Sequence, residues 1–249
     1  MMRSPSMAFA QKVSRSLFSA SPATPLRLGV RSTARFSHPT SVLQSRSTMS
    51  SAFFDAVKTR RSVYAITPES TIPDEKIQEI ISEAIKHAPS SFNVQSSRAV
   101  LLLGAEHKKL WQITANVLKE IVPADQFAST QQKLDGFGNG HGTVLFFEDE
   151  NDVKDLQARF ALYQDRFPVW SQHASAILQF IVWTALESEG LGASLQHYNP
   201  LITAKVLEEW KLPASWTLIA QLPFGTPAAP AGERTYKPVE DRFKIFGKN

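Results

Sequence analysis

Not one of the 249 residues is a cysteine. That absence excludes disulfides, thiolate metal sites, iron–sulfur clusters and cysteine nucleophiles together. The longest apolar run, Ala176 to Leu186, is interrupted by Gln179 and falls well short of the ~20 residues a helical membrane span needs. The six histidines show no ligand spacing such as His-Glu-x-x-His, so no metal site is expected. Acidic residues are missing from positions 1–48, which carry the seven basic residues Arg3, Lys12, Arg15, Arg27, Arg31, Arg35 and Arg46. Of the 27 basic residues, 20 then remain to face all 23 acidic ones, a net charge of −3 for the rest of the chain. The pI near 9.3 therefore belongs to the N-terminal segment, and no basic nucleic-acid-binding face is indicated.

That segment is also rich in Ser and Thr. Wound as a helix, it places Phe9, Val13 and Leu17 on one side with Lys12 and Arg15 opposite, the amphipathic form of a mitochondrial transit peptide. Arg35-Phe36-Ser37 is a candidate processing point. The alternative is a disordered tail on a cytoplasmic or nuclear protein, with Met49 as a second start. Residues 1–48 are thus set apart as leader or tail, and 49–249 form one domain; the 43% hydrophobic content of the whole chain can fill a sizeable core.

Periodicity and breakers predict mixed helices and strands without an internal repeat. A first helix is expected over Ser51–Thr59, capped by Ser51. Pro73 opens a second, with Asp74 and Glu75 in its first turn and a buried face from Ile77, Ile80, Ile81, Ala84 and Ile85, stopped by Pro89. Ala99–Gly104 reads as a strand and Lys108–Val122 as an amphipathic helix. The stretch 123–142 is polar and ends in a glycine-rich run. A strand follows that run at Thr143–Phe147 where a phosphate-cradling loop would open a helix, so the stretch reads as a mobile loop. Residues 152–163 are expected to be helical, Phe167-Pro168 to break the chain, and Trp170–Glu189 to form a long helix. That helix is apolar on more than one side, as in a core or between subunits. A strand at Ala193–His197, a helix near Leu201–Trp210, a strand at Thr217–Leu222 and an irregular tail from Pro227 complete the chain.

Three segments carry the chemistry. Pro89-Ser90-Ser91-Phe92-Asn93-Val94-Gln95-Ser96-Ser97-Arg98 joins helix to strand and is dense in hydroxyls and amides but holds one full charge, on Arg98. Such a loop suits a large neutral heterocycle read by hydrogen bonds, with an ordinary turn as the alternative. Thr59-Arg60-Arg61-Ser62 follows the first helix, and Gly190-Leu191-Gly192-Ala193-Ser194-Leu195-Gln196-His197-Tyr198-Asn199 follows the long one. In this order they resemble the nitroreductase family of FMN-dependent oxidoreductases. Trp183-Thr184-Ala185-Leu186-Glu187 and Phe146-Phe147-Glu148-Asp149-Glu150 look closest to its fungal, fatty-acid-repression-mutant branch. The resemblance covers roughly residues 50–249.

The resemblance implies an α+β fold: an α/β/α sandwich with a mostly antiparallel central sheet, paired as a homodimer along the long helix and embraced by an extended C-terminal tail. It implies FMN as cofactor, its phosphate taken by Arg60, Ser62 and Arg234 with Arg61 alongside. Guanidinium groups suit this because their planar fork pairs with phosphate in two-pronged fashion. Ser90, Ser91, Asn93 and Gln95 would bind the ribityl chain and pyrimidine edge, and Gln196 and His197 would lie by the other face or edge of the ring. His197 is a candidate proton donor or a satisfied structural histidine. Tyr64 stands where many bacterial relatives carry a Lys. The implied reaction is ping-pong reduction of nitroaromatics or quinones by NAD(P)H, with a place in oxidative-stress response, and no side chain acting as acid or base. No ribose-reading motif selects NADH over NADPH. The rival readings are a flavin-binding regulatory protein in lipid signalling with incidental turnover, and a structural protein without cofactor.

Overall fold

The computed structural model describes residues 42–248. The leader helix and the Arg35-Phe36-Ser37 point lie outside the described residues. The spine of the fold is β3 (Gly142–Asp149), buried along nearly its whole length. It pairs antiparallel with β2 (Ser97–Leu103) on one side and β5 (Trp216–Pro227) on the other. The short strands β1 (Ile66–Thr67) and β4 (Gly192–Ala193) add antiparallel to β5, giving the order β1-β5-β3-β2 with β4 also on β5. Because side chains alternate along a strand, β3 feeds both faces of the sheet. Val144 and Phe146 pack with Ile77, Ile81 and Ala84 of α2 (Asp74–His87) and Leu178, Val182 and Leu186 of α6 (Phe167–Ser188). Leu145 and Phe147 pack with Leu110 and Trp111 of α3 (Gly104–Lys119), Leu134 and Phe137 of α4 (Ala124–Gly138), and Val206 of α7 (Thr203–Glu209). A β-bulge, where Phe146 faces Ala220 but Phe147 faces Leu218, lets Leu218 and Ala220 serve opposite faces although they are two residues apart. The result is the expected α+β sandwich around an antiparallel sheet.

Several local expectations need correction. α1 (Val42–Thr59) runs across residues 48 and 49, so Ser51 lies inside it and not at its cap. Residues 124–138 are helical, not a loop. Pro123 starts that helix, and Leu134 and Phe137 anchor one stripe under Trp111, whose ring centroid lies 5.0 Å from that of Phe137. Phe167-Pro168 does not break the chain but begins α6, because a first-turn proline has no helical hydrogen bond to lose. Ile85 is 39% exposed and lines a cavity, so the buried face of α2 ends at Ala84. The Ala193–His197 strand shrinks to β4 plus a bridge between Gln196 and Gln221. α5 (Glu150–Arg159) is followed by a separate single turn at Ala161–Tyr163. Among the described residues, those after β5 form no helix or strand. Among the described residues no helix is long and apolar enough to cross a membrane.

Candidate functional site

The C-terminal end of α1 delivers Arg60 and Arg61 to the C-terminal end of α6. Val63 there donates its N–H to Ala193 O at 2.9 Å, and Ser62 bridges Ala193 in parallel register. Glycine at 192 is required for this approach, since a Cβ there would meet Val63 Cγ1 at 2.7 Å. The segment is held to α6 by Glu187, a nearly buried carboxylate that accepts hydrogen bonds from Arg61 N and Trp183 Nε1, each at 2.7 Å. Trp183 in turn stacks under Arg60, whose guanidinium carbon lies 4.3 Å from the ring centroid.

Arg234 arrives from the far end of the chain by a crosswise pairing. Its Nη2 donates to Arg60 O at 3.0 Å, while Arg61 Nη2 donates to Gly232 O. Three half-buried arginines therefore gather here, with the Glu187 carboxylate beside Arg60. Burial, then the like charge of Arg234, lower the Arg60 pKa, whereas burial raises that of Glu187 against the pull of Arg61 N–H, Trp183 and Arg60. Cations gathered in excess over carboxylates can receive an anion, and the fork of a guanidinium matches the oxygens of a phosphate monoester. Arg60, Arg61, Ser62 and Arg234 are thus brought together. The sequence reading missed Glu187 and Trp183 as members of the cluster. The available signal was their four-residue spacing on one face of α6.

The amide-rich loop lies elsewhere on the chain. Ser91–Asn93 form a single turn, Ser90 Oγ accepts from Gln95 N at 2.9 Å, and Gln95 Nε2 reaches Asn93 O at 3.4 Å. Ser90, Gln95, Ser97 and Arg98 line a cavity of about 340 Å³ with Ala174 and Leu178 of α6. Phe92 closes its neighbourhood within an aromatic cluster, 4.8 Å from Phe160 and 5.5 Å from Phe167 between ring centroids, with Tyr163 and Trp170 beyond. This cluster also escaped the sequence reading, although Phe160, Tyr163, Phe167 and Trp170 recur every three or four residues. The loop packs at the N-terminal half of α6 and the arginines at its C-terminal end. From Ala174 to Glu187 the helix rises roughly 20 Å, so one chain does not bring the two halves into one site.

Gln196 sits between them along the sheet. Its backbone exchanges hydrogen bonds with Gln221 at 2.7 and 2.9 Å, and its Nε2 donates to Ser194 Oγ at 3.0 Å. His197 is exposed and has no hydrogen-bond partner among the described residues, which removes the satisfied structural role. Tyr64 is also exposed, 61% of its surface being open.

An antiparallel sheet between helical layers, with an arginine cluster at one end of a long helix, matches the nitroreductase-like fold. The nitroreductase CinD from Lactococcus lactis, solved in complexes with nicotinic acid, chloramphenicol and 4-nitrophenol, superposes with a TM-score of 0.73 in the first of these. It is 47% identical, over 78% of this chain and 99% of CinD. HBN1 of Saccharomyces cerevisiae is 40% identical over 78% of this chain and 96% of its own length. The nitroreductase FRM2 of the same yeast is 31% identical over 74% and 92%. The sequence pattern of the nitroreductase family matches residues 57–226, and the chain belongs to that family, as an oxidoreductase of the nitroreductase type.

Proposed function

We propose that this protein is an FMN-dependent oxidoreductase that uses NAD(P)H to reduce electron-poor acceptors, nitroaromatics and quinones among them, in a ping-pong cycle. The observation that carries the reading is the gathering of Arg60, Arg61 and Arg234 with the carboxylate of Glu187 beside Arg60, an excess of positive charge that suits a phosphate monoester. When bound, FMN supplies the redox chemistry, taking hydride from the nicotinamide and passing it on. Arg60, Ser62 and Arg234 hold the phosphate, and Arg61 stays tied to Gly232 and to α6. Ser90, Ser91, Asn93 and Gln95 read the ribityl chain and pyrimidine edge without adding charge. Gln196 and His197 border the other edge. CinD supports the acceptor class, because two of its three bound molecules carry a nitroaromatic ring.

The working unit is a homodimer. Ile177 and Phe180 of α6 remain 39% and 37% exposed on one chain, on a helix whose opposite side is core. Pairing two chains antiparallel along α6 lays the amide-rich loop of one beside the arginine cluster of the other, closing the ~20 Å gap. The tail from residue 228 then embraces the partner. Residues 1–48 act as a mitochondrial leader on the domain 49–249.

The full chain, purified, is expected to be yellow, to release FMN and not FAD on denaturation, and to turn over NADH or NADPH with 4-nitrophenol well above the rate of free flavin. Colourless protein that does not take up added FMN sinks the reading. Yellow protein without turnover leaves only the regulatory role.

A further inference from the structure

The amide-rich loop is held in an unfavourable backbone conformation. Among the described residues four that are not glycine have positive φ, and three of them are here: Phe92 (55°), Asn93 (53°) and Gln95 (53°). A Cβ makes this region uphill, so the surrounding structure must enforce it. The Gln95 peptide is gripped on both sides. Its N–H donates to Ser90 Oγ at 2.9 Å, and its carbonyl accepts from Arg98 Nη1 at 2.6 Å.

Arg98 is anchored in turn. Its Nη2 donates to Asp152 Oδ2 at 2.5 Å and to Asp149 Oδ2 at 3.2 Å, and the guanidinium carbon lies 5.9 Å from the centroid of the Trp216 ring. Asp149 is itself fixed, accepting from Asn151 N at 3.1 Å at the start of α5 and from Trp216 Nε1 at 3.2 Å. Two carboxylates therefore meet the one charge of the loop. The charge of Arg98 is thus answered within the chain.

We propose that Arg98 is a positioning residue, which ties the Gln95 carbonyl to the first turn of α5 and so holds Gln95 and Ser90 in the geometry that meets the uncharged ring edge of the flavin. The inference rests on the FMN reading above. It requires Arg98 to act on flavin with or without a phosphate, and to act through Gln95.

Both requirements are tested by titrating the stripped full-length protein with FMN and with riboflavin, which lacks the phosphate. Arg98→Met should weaken both ligands by the same factor, about tenfold to a hundredfold, as expected for loss of a charged hydrogen bond. Arg60→Ala should weaken FMN alone. The double variant Arg98→Met/Gln95→Ala should bind no more weakly than the worse of its two single variants, because the changes share one route. Asp152→Asn, which loosens only the far end of the tie, should shift both ligands equally and by less, and serves if Arg98→Met does not fold. The proposal is overturned if either tie variant weakens FMN but spares riboflavin, leaves both unchanged, or adds its full effect to that of Gln95→Ala. A parent protein that binds neither ligand overturns the cofactor reading itself, and the Arg98 assignment with it.

Discussion

Acid should destabilise this fold through His107, and the size of the effect follows from where that ring sits. His107 is on α3 and only 1% exposed, with Nδ1 2.8 Å from Thr143 Oγ1. Trp111 Nε1 donates to the same hydroxyl at 3.1 Å, and no carboxylate among the described residues is paired with the ring to favour its charged form. Burial is the main cause that takes the His107 pKa down from 6.5 to about 4. The unfolded chain therefore binds a proton below pH 6.5 that the folded protein refuses until about pH 4, and stability contributed by the neutral ring is lost as pH falls through that window. The whole interval corresponds to about 3 kcal/mol, of which about 2 kcal/mol should be gone by pH 5 relative to pH 7.5.

The buried carboxyls of Glu148 and Glu187, raised by desolvation, favour the folded state on acidification and mask part of the loss. The measurement is therefore a difference: guanidinium unfolding of the parent and of His107→Asn, at fixed protein concentration, from pH 7.5 to 5. Asn keeps an acceptor for Thr143 but does not titrate. The stability advantage of the parent should shrink by about 2 kcal/mol across the series. A difference constant to within about 0.5 kcal/mol would show that His107 is not held neutral by its burial.

Arg60→Ala and Arg234→Ala should each loosen FMN by about tenfold to a hundredfold while the circular dichroism stays unchanged, and flavin retained as tightly in the double variant refutes the phosphate assignment. Ile181→Asp should cost dimer and cofactor together, read by sedimentation of the flavin-loaded protein, whereas a monomer that still holds FMN would place the whole site within one chain. Gly225→Ala should destabilise the fold by about 1–3 kcal/mol or more. A Cβ at Gly225 would sit 2.1 Å from Thr67 O, and unchanged thermal unfolding would mean that β1 does not pack against β5 as described.

How far the sequence could be read depended on how much of each signal was local. α2 declared itself through Pro73, two first-turn acids and the Ile77–Ile81–Ala84 spacing, and β3 through a continuous apolar run bounded by glycine and acids. α4 did not, because just two buried side chains mark its inner stripe and glycines sit in its last turn, so tertiary packing under Trp111 decides what the composition leaves open. β1 is two residues long and exists only by pairing with β5. In the site, the arginines and amides were visible as residue types. Their division between the two ends of α6 was not, nor was the capture of the Arg98 charge by Asp149 and Asp152 more than fifty residues away. Those arrangements are set by the sheet register, which pairs Ser97 with Glu148 and thereby brings β2 and the start of α5 to one edge.

The crosswise hydrogen bonds between residues 60–61 and 232–234 join positions 174 and 171 residues apart in sequence. Loop closure over such a span is slow and late, and a chain made from its N-terminus cannot form the pair until residues 232–234 have followed the whole sheet. Helices and central sheet can assemble before then, all from residues up to 227. The arginine cluster is therefore the last arrangement of this fold to form: a chain lacking the residues from 228 on would keep its core yet lose the partner that Arg60 O and the Arg61 guanidinium each find there.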